Sequence, residues 1–319
     1  MAVHPEPVTP VWGDLTGKTL TKGQATGNDF IFITDPAAEV DLTEELIARV
    51  TDRHFGIGAD GFIRAVKTEN LPDYAHLLAE DADALWFMDY RNGDGSIAEM
   101  CGNGVRAFVD YLITEHLVTL ADGQLLKIGT RAGVKAVAKT ETGYAIDMGP
   151  WGFIHGEDAR AKNSDSEVTA AGLNTPREAL SITMGNPHTV VMLGTDEKLD
   201  GLNLTESPKV TPEPENGTNV EFVVPETISP EDGDPATENI GIIRMRVHER
   251  GVGETLSCGT GACAAAAATR FWGGATAPDE WIVHVPGGTL AVTFVTGPDN
   301  LEHVVLAGPA AMTGKILLG

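Results

Sequence analysis

A cysteine followed by Gly-X-Gly at the head of a helical pattern occurs twice in this 319-residue chain. The two stretches are "EMCGNGVRAF" at Glu99–Phe108 and "SCGTGACAAA" at Ser257–Ala266. Glycines let the backbone turn sharply at such a point. Behind the first turn, Val105, Phe108, Val109 and Leu112 recur at helical spacing. Behind the second comes an alanine-rich run. The strands expected before the first turn are "DFIFITD", "GFIRAVKT" and "ALWFMDYRN". Before the second they are "EALSITM", "HTVVML", "TNVEFVVP" and "IGIIRMRVHE". More strands follow each helix, and "WIVHVPGGTLAVTFVTG" and "LEHVVLAGPAAMTGKILL" read as hairpins. Helices do not follow every strand, which argues against a doubly wound parallel sheet. The order predicts a mixed α+β fold of two related domains, each a curved, largely antiparallel or barrel-like sheet around one central helix. The boundary is expected near Asp147–Gly152. A helix capped by Thr43 is expected within Leu42–Gly56. An acidic surface loop or short helix is expected at Glu69–Ala84, and a surface insertion at Ile228–Asn239.

The chain is acidic, with 46 Asp and Glu against 22 Lys and Arg, a formal net charge of -24. Such a surface repels phosphate backbones and anionic lipid, which sets nucleic-acid and membrane-surface partners aside. A small zwitterionic or anionic substrate in a local pocket stays compatible. No apolar stretch has transmembrane length, and the first residues lack the layout of a secretory signal. Three cysteines in a chain this long do not read as a disulfide scaffold. A reducing, cytoplasmic setting is expected.

A helix N-terminus offers unpaired N–H groups and a positive partial charge. A cysteine there is expected to have a lowered pKa, and the same N–H groups can hold a carboxylate. If two such turns face one cleft, one sulfur can take a proton from a carbon while the other delivers one from the opposite side. That is the chemistry of stereoinversion, with the pair titrating as a coupled system. Three other readings of the cysteines stand beside it. Each is a small buried side chain in a glycine turn, as Cys263 inside the alanine run is expected to be. Alternatively, Cys258 and Cys263 hold zinc with His248 or His284, or one cysteine is a nucleophile paired with His188 or His284.

Polar residues gather at expected strand ends. Asn28, Asn92, Asn186 and Asn219 are neutral amides able to hold an ammonium and a carboxylate, or simply turn residues. Arg250 is suited to a bidentate carboxylate pair, and His188 and Glu249 to tuning a sulfur or orienting a substrate. Asp60, Asp94 and Glu254 read as structural turn groups. "RHFGIGADG" lacks the order of a dinucleotide fingerprint.

These segments, "GNDFIFI", "RHFGIGADG", "YRNGDGSIAEMCGNGVRAF", "MGNPHTV", "GTNVEF", "RVHERGVGETLSCGTGACAA" and "VPGGTL", run in order over nearly the whole chain. Together they resemble the diaminopimelate epimerase family. The resemblance implies interconversion of LL- and meso-diaminopimelate without cofactor or metal, in lysine and peptidoglycan precursor synthesis in the bacterial cytoplasm. It implies Cys101 and Cys258 as the two acid/base groups, supported by His188 and Glu249. Substrate contacts would fall on Asn28, Asn92, Asn186, Asn219, Glu249 and Arg250, with the amides of Gly102–Asn103 and Gly259–Thr260 around the reacting carboxylate. It also implies two pseudo-symmetric domains, residues 1–147 with the returning segment 307–319 and residues 148–306, closing around substrate as a homodimer. The nearest alternative is a proline or hydroxyproline racemase or epimerase of the same architecture; a more distant one is a non-catalytic amino-acid-binding protein. Two positions depart from the family pattern: Gly61 stands where many members carry glutamine, and Thr189 where many carry cysteine.

Overall fold

Short runs rich in Val, Ile and Phe form strands that wrap two helices. The structure is a computed structural model and describes residues 12–194, 198–226 and 239–319. The first half contains β1 (Thr19–Ala25), β2 (Asn28–Thr34), α1 (Glu44–Thr51), β3 (Gly61–Lys67), α2 (Leu77–Glu80), β4 (Trp86–Asn92), α3 (Gly102–Thr114), β5 (Leu125–Thr130), β6 (Gly133–Thr140) and β7 (Gly143–Pro150). The second begins with β8 (Gly152–Phe153), α4 (Gly156–Lys162), β9 (Ser166–Thr169), β10 (Arg177–Thr183), β11 (Pro187–Met192), β12 (Lys209–Thr211), β13 (Asn219–Glu226), β14 (Ile240–Glu249) and β15 (Gly253–Thr255). It continues with α5 (Gly259–Gly273), β16 (Glu280–Val285), β17 (Gly288–Thr296) and β18 (Glu302–Gly308), and the chain closes with β19 (Ala311–Leu317).

The two halves share one pairing series. Strands β1 to β7 pair in order, antiparallel except for the parallel pairs β2–β3 and β4–β5. The series β10, β11, β13, β14, β16, β17, β18 repeats this, with parallel pairs at β11–β13 and β14–β16. Antiparallel pairing of β7 with β18 makes the sheet continuous between the halves. The fold is mixed α/β, dominated by sheet, as the repeated order of elements predicted.

Each sheet curls around its own helix. α3 packs on β1, β2, β3, β4, β6, β7 and β19, and α5 on β10, β11, β13, β14, β16, β17 and β18. Around α5, small side chains let the sheet close tightly on the helix. Ala264 to Ala268 are accordingly buried without exposure, as is Cys263, the inert core cysteine that the alanine run suggested. Thr43 caps α1 through its hydroxyl, which accepts from the Leu46 amide at 3.2 Å.

Some sequence expectations need correction. "LEHVVLAGPAAMTGKILL" is not a hairpin: β18 pairs with β17 and β7, and β19 pairs with β1. Both edges of β18 are already occupied, so β19 must find another partner. The segment at Glu69–Ala84 holds the short α2 and packs Leu77 and Tyr74 onto Val66 and Phe87, so it is more than surface decoration. The expected insertion at Ile228–Asn239 lies, apart from Asn239, outside the described residues. Among the described residues no helix is long and apolar enough to cross a membrane.

Candidate active site

Cys101 and Cys258 are the N-cap residues of α3 and α5, with nearly identical extended backbones (φ −136°, ψ 120° and φ −120°, ψ 116°). Each sulfur accepts the amide three residues on, Gly104 and Gly261, at 3.4 Å. The glycines of Cys-Gly-X-Gly give these helix heads no side chains to shield them. The two heads meet. Asn103 Nδ2 donates to the Ser257 carbonyl at 3.2 Å, and a Cβ placed on Gly259 would lie 3.4 Å from Asn103 Oδ1.

Burial opposes the helix-end effect at both sulfurs. It pushes the Cys101 thiol up to about 11, with the Glu249 carboxylate adding in the same direction and the Gly104 amide opposing. Cys258 is raised well above the ordinary thiol value too, by burial first, then by Glu249 and Glu221. The lowered pKa expected from the sequence is therefore reversed: desolvation of a thiolate outweighs one weak amide bond. The same carboxylate acts on both sulfurs, so both belong to one electrostatic site. Glu249 is itself raised by burial, while Thr255 Oγ1 hydrogen-bonds its Oε1.

This reversal has a direct test. Iodoacetamide labelling of Cys101 in the substrate-free protein is expected to keep rising about tenfold per pH unit through pH 9–10. Its midpoint is expected near 11 rather than at the ordinary thiol value of 9.0. A midpoint at or below 9 would mean that the helix end dominates. The folded chain holds this proton more tightly than an unfolded one. Stability from it is accordingly complete below the ordinary value and is lost as pH rises through about 11.

Three of the four asparagines are tied into the cysteine turns or to each other's neighbours. Asn28, at the start of β2, accepts from Cys101 Sγ at 3.6 Å and donates to Asp60 Oδ2 at 2.7 Å. Asp60 also binds Arg53 at 2.6 Å, so it orients Asn28 and is more than a turn residue. Asn186 donates to Thr260 Oγ1 at 3.4 Å, and that hydroxyl lies 3.6 Å from Cys258 Sγ. Asn219, at the start of β13, donates to the Pro187 carbonyl at 3.2 Å and accepts from the Arg250 amide at 2.9 Å. Asn92, at the end of β4, is turned onto Ser96 Oγ at 3.0 Å. The Arg250 guanidinium is exposed and held by the Asn216 carbonyl at 2.7 Å; it is not drawn to the sulfurs. Asp94 caps the Ser96 amide and Glu254 pairs with Arg246, as turn and surface groups do.

His188 is fully buried. Its Nδ1 meets Glu221 Oε1 at 2.7 Å and its Nε2 meets Asn186 Oδ1 at 3.1 Å. A chain of contacts therefore runs Glu221–His188–Asn186–Thr260–Cys258. It makes His188 a residue that orients Asn186, not a partner that touches sulfur. His284 meets Thr289 Oγ1 at 3.0 Å and His248 the Leu204 carbonyl at 2.9 Å, so the Cys258–Cys263 spacing gathers neither.

Sequence reasoning missed Glu221, Tyr90 and Ser257. Glu221 left a signal, a lone charge inside the apolar run "NVEFVV", where a buried carboxylate needs a partner. Tyr90 explains Gly61. The two strands put Gly61 opposite Asn92 and Tyr90 opposite Ile63, all on one face of the sheet. The Tyr90 ring lies across the Gly61 position, where a Cβ would sit 2.6 Å from its Cε2. A glutamine has no room there, and a phenol fills the space instead. Thr189 is buried and bonds Thr218 Oγ1 at 3.1 Å. A cavity of about 460 Å³ adjoins the cysteine turns, lined by Asn28, Asp60, Thr255 and Ser257 among others.

Two like halves, each presenting a capping cysteine at a shared boundary, have the architecture of epimerases and racemases. Solved structures share this fold. A hydroxyproline epimerase from Agrobacterium vitis superimposes with a TM-score of 0.57 at 14% identity, covering 94% of this chain and 92% of that one. A phenazine biosynthesis protein of the PhzF family from Bacillus anthracis does so with a TM-score of 0.61 at 14% identity, covering 93% and 97%. The diaminopimelate epimerase family model matches residues 20–154 and 180–313. A diaminopimelate epimerase of Streptomyces coelicolor is 39% identical over 300 residues, covering 92% of this chain and 93% of the relative. One of Thermobifida fusca is 38% identical over 302 residues, covering 92% and 95%. The chain belongs to the diaminopimelate epimerase family.

Proposed function

We propose that the chain interconverts LL- and meso-diaminopimelate by two-base proton transfer through Cys101 and Cys258. The supporting observation is a pair of capping sulfurs on abutting helix heads, both raised by burial and further by one carboxylate, Glu249. In the empty site both thiols keep their protons at neutral pH. A substrate α-ammonium arriving near Glu249 offsets that like-charge effect and lets one sulfur ionise. The thiolate takes the α-proton, the electron pair stays on the α-carbon beside the carboxylate, and the other thiol protonates the opposite face. The sulfurs end with roles exchanged. The amides of Gly102–Asn103 and Gly259–Thr260 cradle the carboxylate, whose field they stabilise as charge builds. Asn28, Asn92, Asn186, Asn219, Glu249 and Arg250 are the proposed substrate contacts; Asn92 and Arg250 would leave their present partners to reach it.

In this reading residues 1–147 and 307–319 form one domain and residues 148–306 the other, with the site in the cleft between. Pairing of β19 with β1 supports the assignment of the last segment. The enzyme works as a homodimer in the cytoplasm, feeding lysine and peptidoglycan precursor synthesis. The test is incubation with LL-diaminopimelate in deuterium oxide. Conversion to the meso form with one deuterium at the inverted carbon is expected, and proline is expected to be inert. Absence of α-exchange with diaminopimelate would overturn the reading.

A further inference from the structure

Arg106, one helical turn beyond Cys101, is the largest fully buried side chain among the described residues. Its Nη2 donates to Asn103 Oδ1 at 2.8 Å and to Thr26 Oγ1 at 3.1 Å. Its Nε and Nη1 have no hydrogen-bond partner, and among the described residues no carboxylate pairs with it. A buried, uncompensated guanidinium is costly, and the fold makes room for it at Gly308, where a Cβ would lie 3.2 Å from its Nη1.

Both acceptors of Arg106 lead to one residue of the other half. Asn103 Nδ2 donates to the Ser257 carbonyl at 3.2 Å and lies 3.4 Å from its Oγ; Thr26 Oγ1 meets the Ser257 hydroxyl at 2.9 Å. Ser257 directly precedes Cys258. Thr26 reaches this position only by taking φ +49°, a strained value for a β-branched residue. Its turn is pressed against the second half so closely that a Cβ on Gly287 would sit 1.8 Å from the Thr26 carbonyl oxygen. Strain, buried charge and glycine thus converge on one contact between the halves.

We propose that Arg106 is a positioning residue that clamps the Cys258 turn to the Cys101 turn through Asn103, Thr26 and Ser257. The proposal deepens the two-base reading and rests on it for the effect on turnover. A second readout, the effect of the Arg106 charge on Cys101, does not need that reading. Burial pushes Arg106 itself down to about 10, and its charge lowers Cys101 and Cys263.

The test compares Arg106→Met, Arg106→Lys and Ser257→Ala. Arg106→Met is expected to move the Cys101 labelling midpoint upward, and to lower kcat about a hundredfold with KM within about threefold. Arg106→Lys keeps the charge but not the fork, so it restores the labelling profile and only part of kcat. Ser257→Ala removes the hydroxyl arm of the clamp, to Thr26, and leaves the Asn103 bond to the carbonyl and the charge in place. It is expected to lower kcat about tenfold with labelling unchanged, and its effect should not add to that of Arg106→Met. An unchanged labelling profile and unchanged kcat in Arg106→Met would overturn the proposal. If the Arg106 variants do not fold, Asn103→Ala, which loses the bond to the Ser257 carbonyl, decides: a full kcat overturns the clamp and a reduced kcat supports it. A shifted labelling midpoint in Arg106→Met, with no epimerisation by the wild type, would keep the charge role and defeat the reading of function instead.

Discussion

Cys258→Ala and Cys101→Ala are each expected to lower inversion of diaminopimelate by about 10⁴-fold, the upper range for loss of a positioned acid or base. The two variants should differ in what survives. With one sulfur left, the remaining group can still take an α-proton from the stereoisomer that faces it and return a solvent deuteron to the same side. Each variant should therefore exchange the α-proton of one isomer and leave the other untouched, with opposite preferences. A single-base mechanism, in which one group serves both faces, predicts instead that one of the two variants keeps inversion. Misfolding does not explain the expected loss. Each sulfur is an N-cap, and replacing a good N-cap costs about 1 kcal/mol; a cysteine accepting at 3.4 Å is a weak one. Far-ultraviolet dichroism and melting of the variants should stay close to wild type. Inversion at the wild-type rate in either variant would end the two-sulfur assignment.

The duplicated cysteine turn carried most of the fold in advance, because a short signal tied to a helix start recurs with the same neighbours. Apolar runs such as "DFIFITD" located β2, and helical spacing after Cys101 located α3. Partner choice among strands was not legible. "LEHVVLAGPAAMTGKILL" has the local pattern of a hairpin, and only the occupied edges of β18 send β19 to β1. At the site, residue types were readable but directions were not. Asn28 and Asn186 reach the cysteine turns, while Asn92 and Arg250 are turned onto Ser96 and Asn216. The thiol pKa was misjudged because the helix-end effect is local, whereas desolvation depends on how completely the two halves close over the sulfur. Arg106 was invisible for a related reason: an arginine on a helix reads as a surface group until the sheet is seen to surround it.

His188→Ala is expected to be the most destabilising single change at the site, by about 3–5 kcal/mol, the usual consequence of leaving a buried charge without its partner. Glu221 is fully buried and its Oε2 already lacks a hydrogen bond. Removing the imidazole takes away the 2.7 Å contact to Oε1 as well. The carboxylate must then draw water into the core or move. A double change, His188→Ala with Glu221→Gln, removes the stranded charge and should recover more than half of the loss. That is the signature of a coupled pair, because independent residues would add. Activity should not recover in parallel, since Asn186 has lost the nitrogen that holds its Oδ1 and sets its amide toward Thr260. Urea unfolding of the two variants, read beside kcat and KM, separates these effects. If the double variant is less stable than His188→Ala, the Glu221 charge is not what His188 balances, and the buried pair exists for packing alone.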